Sequence, residues 1–151
     1  MSVRDRLAEL GIVLPGVAAA AGSYLPTARS GDLLFTAGQL PFVDGALPAT
    51  GPVGAEVSAE DANGYARIAA LNLLAAVDAA VGLDAVVRVV KLVGFVASAP
   101  GFTGQPGVIN GASDLMAEVF GEAGRHARSA VGVASLPLGA PVEVEGIVQV
   151  R

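Results

Sequence analysis

The sharpest pattern in the chain is at its end, where valine alternates with polar residues. Val142, Val144, Val148 and Val150 fall on one face of an extended strand, and Glu143, Glu145 and Gln149 fall on the other. Ala85 to Ala97 (AVVRVVKLVGFVA) is also read as a strand, because β-branched residues dominate it. Parity puts Val87, Val89, Val93 and Phe95 on one side and Val86, Val90, Leu92 and Val96 on the other, interrupted only by Arg88 and Lys91. A strand apolar on both sides requires cover on both faces of its sheet. Further strands are expected at Arg128 to Ala134, at Asp32 to Ala37 ending at Gly38, and around 17–21 and 24–29, separated by Gly22.

Helical spacing marks three other segments. Residues 2–10 place Val3, Leu7 and Leu10 on one face, with Ser2 as the N-cap and Gly11 as the stop. A long helix starts at Ser58, has Glu60 and Asp61 in its first turn, and ends at Gly82. Its expected apolar stripe is Tyr65, Ile68, Leu71, Leu74, Val77 and Val81. The third helix covers roughly 107–121, with Leu115, Met116, Val119 and Phe120 on its apolar side. Residues 41–57 are rich in proline and glycine and read as loop, too short for a domain linker. The order predicts an α+β fold in one domain, 1–151, with 1–15 as an N-terminal extension. Two long helices can cover only one sheet face, so the second face implies self-association.

Composition narrows the function. Hydrophobic residues make up 53% and charged residues 15% of the 151, which excludes charge-driven disorder. A net charge of -5 disfavours general nucleic-acid binding. With no cysteine and one histidine, thiolate chemistry, disulfides, histidine-rich metal sites and a Ser-His-Asp triad are all disfavoured. Charges or glycines break every apolar run, and the first ten residues lack a signal-peptide core; a cytoplasmic protein is expected.

Arg128 heads a strand face whose next members, Ala130, Gly132 and Ala134, are small, which leaves room for an anion at a guanidinium fork. The alternative is a surface salt bridge, for instance with Glu122. Glu143 and Glu145 lie on what is ordinarily a solvated face. His126 has no ligand spacing around it and reads as structural or solvated. Asn110 and Ser113 suit helix capping or a polar ligand contact, and Tyr24 suits core packing or a pocket wall. No phosphate loop is present.

The string Ala127-Arg128-Ser129-Ala130-Val131-Gly132-Val133-Ala134-Ser135-Leu136-Pro137, followed by Val142-Glu143-Val144-Glu145, resembles the C-terminal signature of the YjgF/RidA family of imine/enamine deaminases, also known as endoribonuclease L-PSP. Tyr24 and Gly38-Gln39-Leu40-Pro41 are similar to two further family elements, and the resemblance runs from about residue 20 to 151. It implies a chorismate-mutase-like fold and a homotrimer with ligand clefts between subunits. It also implies cofactor-free hydrolysis of 2-imino or 2-enamino acids to 2-oxo acids and ammonia. Under it Arg128 grips the substrate carboxylate, and Glu143, ionised near Arg128, activates water. Tyr24, Gly38, Ala130 and Asn110 line the cleft. Ala37 stands where typical members carry serine. A non-catalytic trimer binding a small carboxylate is the rival reading; an endoribonuclease is disfavoured by charge, and a chorismate mutase rests on shared architecture alone.

Overall fold

The computed structural model describes residues 1–20 and 22–151. Ser2 and Asp5 cap each other reciprocally and start α1 at Val3–Glu9. β1 (Thr27–Ser30) and β2 (Leu33–Thr36) form a hairpin. The Ser58 hydroxyl accepts the Asp61 N–H and opens α2 (Ala59–Val81), which Gly82 closes at φ 78°. β3 (Val86–Ala97), α3 (Gln105–Phe120), β4 (Ala127–Val133) and β5 (Val142–Val150) complete the order. The strand expected around 17–21 does not form over its described part, 17–20, and Ala21 lies outside the described residues; the one expected at 24–29 shortens to β1.

The five strands make one mixed sheet in the order β1-β2-β5-β3-β4. Only β3 and β4 are parallel, joined by α3 as a crossover; the other neighbours are antiparallel. β5 is therefore the central strand, and its alternation survives intact: the four valines and Gly146 are buried and the residues between them are half-buried. The valines face α2 and α3. The opposite face carries Leu33, Phe35, Val93, Phe95 and Ile147, set by the registers Leu33↔Gln149, Phe35↔Ile147 and Phe95↔Glu143. No helix of the described residues covers that face, and Phe35 stays 40% exposed.

Two details depart from the periodicity. β3 has register shifts between Val86 and Arg88 and between Val89 and Lys91. Each shift reverses side-chain parity, so Val89 joins Leu92 and Val96 in the core while Val90 is only half-buried. On α2 the fully buried face is mainly alanine: Ala62, Ala66, Ala69 and Ala70, with Leu73, Leu74 and Val77. Tyr65, Ile68 and Leu71 of the expected stripe are only half-buried. Small residues win this face because α2 is pressed against both the sheet and α3. By length and composition α2 could cross a bilayer, but this buried face packs in the protein core.

The α2–α3 contact is tight at Gly111. A Cβ there would overlap the backbone carbonyl of Asn63 and lie 3.3 Å from the Arg67 nitrogen. Backbone cannot swing aside as a side chain can. Gly111→Ala should therefore destabilise the protein by about 3 kcal/mol in urea titration, at the upper end of overpacking costs. Gly107, on the same helix, has nothing within 4 Å of a built Cβ. Gly107→Ala should leave stability unchanged or raise it by up to about 1 kcal/mol, the helix-propensity gain. Equal effects of the two would contradict the close helix approach.

Candidate functional site

Alternation along β5 sends Glu143 to the uncovered face, opposite Phe95. The adjoining chain is shaped around it. β2 pairs with β5 as far as Phe35↔Ile147, and pairing resumes at Gln39↔Val144. Four steps on one side thus meet three on the other, a one-residue bulge. Inside it the Thr36 hydroxyl accepts the Gly146 N–H at 3.0 Å. The bulge brings Gly38 against Glu143, and a Cβ at Gly38 would overlap the Glu143 carboxyl oxygen. A side chain at this position would push the Glu143 carboxyl out of its place.

Glu143 forms one end of a cavity of about 640 Å³ that Tyr24, Phe35, Ala37, Leu40 and Phe42 also line. Partial burial raises its pKa above the ordinary carboxylate value, and the neighbouring charge of Glu145 adds to the rise. One wall is pinned from behind: the buried Asn72 amide on α2 donates to the carbonyls of Leu40 at 2.9 Å and Phe42 at 3.1 Å. A polar residue amid the apolar run of α2 was the sequence signal for this role.

Arg128 lies elsewhere. Parallel pairing with Leu92 puts it on the helix-covered face, where it reaches α3. Its guanidinium donates to Asn110 Oδ1 at 2.8 Å, to Ser113 Oγ at 3.2 Å and to the Pro106 carbonyl at 3.1 Å. The ring of His126 continues the network, with Nδ1 2.7 Å from the Gly124 carbonyl and Nε2 3.0 Å from Ser113 Oγ. A carbonyl only accepts, so Nδ1 carries a proton; in the neutral ring Nε2 then accepts from Ser113. The half-buried His126 thus has the structural role expected of it, as a prop for the arginine. Ser113 serves the arginine rather than the start of a helix.

All three partners of Arg128 are neutral, so its charge is held in place without being cancelled. The salt bridge considered with Glu122 does not form: Glu122 pairs instead with Arg125 at 3.6 Å, both highly exposed. Asn110 does meet Arg128, and Ala130 is half-buried on the same side of β4. Arg128 and Asn110 line one surface pocket, and Tyr24, Gly38 and Glu143 line another. The expected proximity of Glu143 to Arg128 is therefore corrected within one chain: they point from opposite sheet faces, and Glu143 is shifted by burial and a like charge. No group of three or more acidic or histidine side chains among the described residues could hold a metal.

Residues 4–145 match the model of the family described as "YjgF/chorismate mutase-like, putative endoribonuclease". The chain is 49% identical to Protein TCP17 of Trypanosoma cruzi over 99% of its own length and 94% of that protein's. A "putative endoribonuclease" from Shewanella oneidensis superposes with a TM-score of 0.96 at 34% identity, covering 99% of this chain and all of that one. Escherichia coli TdcF, solved with bound serine, gives 0.65 at 27% identity over 89% of this chain and 93% of its own.

A carboxyl whose pKa rises on folding binds more protons folded than unfolded, so its ionisation opposes folding as pH increases. Its neutral form is the better tolerated one. Glu143→Gln should accordingly raise the melting temperature at neutral pH. The gain should shrink on acidification toward about pH 4, where the wild-type carboxyl is itself protonated. A stabilisation that is constant with pH, or a loss of stability at neutral pH, would contradict the raised pKa.

Proposed function

Because the chain belongs to the YjgF/chorismate mutase-like family, we propose that it hydrolyses 2-imino and 2-enamino acids to 2-oxo acids and ammonia, in clefts completed between the subunits of a homotrimer. The observation that carries this reading is Arg128 itself: a fork fixed by three neutral acceptors with its positive charge uncancelled. Such a group suits a carboxylate, which takes two parallel hydrogen bonds from a guanidinium. A serine-bound structure of TdcF, a fold relative, adds support, since serine also carries a carboxylate.

In this scheme the Arg128 pocket of one subunit faces the Glu143 pocket of the next, across the sheet face the helices leave open. Arg128 anchors the carboxylate and so fixes C2 of the imine relative to Glu143. Glu143, with its raised pKa, takes a proton from water as the oxygen attacks C2 of the protonated imine. A tetrahedral aminoalcohol forms. Glu143 then returns the proton to nitrogen, the C–N bond breaks and ammonia leaves, while Glu143 takes the hydroxyl proton so that the C2 oxygen becomes the ketone. That proton passes to the departing ammonia as ammonium and restores the carboxylate. An enamine first takes a proton at C3 to become the imine. Every proton is accounted for without a cofactor.

A second reading, a trimer that binds a small carboxylate without catalysis, is favoured by Ala37, a cavity-lining residue without the hydroxyl common at this position in the family. Adding the protein to a threonine dehydratase reaction separates the two. Faster release of ammonia and 2-oxobutanoate supports the deaminase, and an unchanged rate supports the binder.

Two further outcomes are expected. Light scattering at micromolar concentration should give three times the 14.9 kDa chain mass; a stable monomer would leave the Phe35–Phe95 face in water and count against the cleft. Arg128→Ala should lower kcat/KM by on the order of a hundredfold, because each charge-assisted hydrogen bond contributes roughly 1.5–3 kcal/mol and each ~1.4 kcal/mol is a factor of ten. Lysine should restore only part of the loss. Full activity of the alanine variant would remove Arg128 from the site.

A further inference from the structure

The Glu143 cavity is much larger than the smallest imino acids need. Its volume of about 640 Å³ lies in the roughly 300–1,000 Å³ range of pockets for sizeable organic ligands. A methyl or ethyl side chain displaces only on the order of one or two waters, each ~30 Å³ of liquid. The cavity also has a single charged end. Glu143 beside Gly38 forms it, and no lysine or arginine lines any part. Of the polar side chains elsewhere in the lining, Thr36 and Gln39 are buried, and the Thr36 hydroxyl already receives the Gly146 N–H. What remains is hydrocarbon: Phe35, Phe42, Leu40, the ring of Tyr24 and the methyls of Ala18, Ala19 and Ala20.

Those three alanines belong to a strap that follows on from the N-terminal extension. After α1, the Ile12 N–H bonds back to the Leu7 carbonyl at 2.9 Å, and Ile12 and Leu14 pack against the core. Residues 12–20 then run without regular secondary structure to the cavity rim. Alanine at 18, 19 and 20 gives an apolar wall with the least intrusion into the space. A carboxylate finds no cation inside this cavity, so in the proposed reading, on which this inference rests, it stays with Arg128 of the adjoining copy. The cavity is left for the substrate's side chain. We infer that the site selects 2-imino acids with a branched or aromatic hydrocarbon side chain, and that the Ala18–Ala20 strap is the wall that sets this preference.

The test is calorimetry on the full-length protein with three 2-oxo acids, which keep the carboxylate and vary only the side chain: pyruvate, 4-methyl-2-oxopentanoate and phenylpyruvate. Each buried methylene strengthens binding by about fourfold, so the two larger acids should bind at least about tenfold more tightly than pyruvate. Ala19 is exposed to the cavity side and outside the core, so Ala19→Phe can fill the space without disturbing the fold. It should cost the larger acids about tenfold and change pyruvate by less than about twofold. Equal affinities, tighter pyruvate, no binding of any of the three, or an equal loss across all three in the variant would each overturn the inference. Turnover of the corresponding imines, generated by an amino acid oxidase, is read separately. Tight binding of the bulky acids with no hydrolysis would overturn the deaminase reading and leave the side-chain preference standing. Hydrolysis favouring the smallest imine would do the reverse.

Discussion

A central strand whose buried alternate positions are four valines and Gly146 has one workable register, and this constraint organises the molecule. If β5 slipped by one residue, Glu143 and Glu145 would enter the helix-covered core and five strand positions would lose their burial. Because β5 joins β2 on one side and β3 on the other, its register also sets theirs. The bulge at Gly38, the contact of Gly38 with Glu143 and the pairing of Phe95 with Glu143 all follow from that single choice. So does the exposure of a largely apolar face, since the polar half of the alternation must point away from α2 and α3.

The same sheet separates two kinds of electrostatic environment. On the helix side, Arg128 is immobilised by three oxygens that carry no charge and makes no ion pair with any of them. On the open side, Glu143 sits beside Glu145 in a partly dehydrated recess and resists ionisation. Were the two in contact within one chain, each would neutralise the other: the arginine would lose its pull on an anion, and the carboxyl would become a weaker base. Keeping them on opposite faces preserves both properties.

Much of the fold is legible from local chemistry. Ser58 and Gly82 delimit the first long helix in the sequence as they do in space, and the alternation of β5 transfers unchanged. What periodicity could not carry was tertiary. The parity of β3 is reset by two bulges whose cause lies in pairing with β5, so Val89 changed faces. The buried face of α2 follows closeness of approach, which favours alanine over larger residues that hydropathy ranks above it. Arg128 was marked by its small-residue strand face, while the cleft roles of Glu143, Tyr24 and Gly38 came from the family resemblance. Their division between two pockets needed the strand register, and the propping roles of Ser113, His126 and Asn72 depend on contacts 13 to 32 residues apart along the chain. No local spacing rule reports such contacts.

The alanine face of α2 has a consequence for how the molecule would look to mutagenesis. Ala62, Ala66, Ala69 and Ala70 are each completely buried, yet they have almost no side chain to remove. An alanine scan passes over them in silence, and truncation to glycine would report mostly helix propensity. Their importance lies in what they exclude. Sensitivity along this helix is one-sided, tolerant of loss and intolerant of growth, so a map of its tolerance built only from deletions would mark the tightest layer of the protein as dispensable.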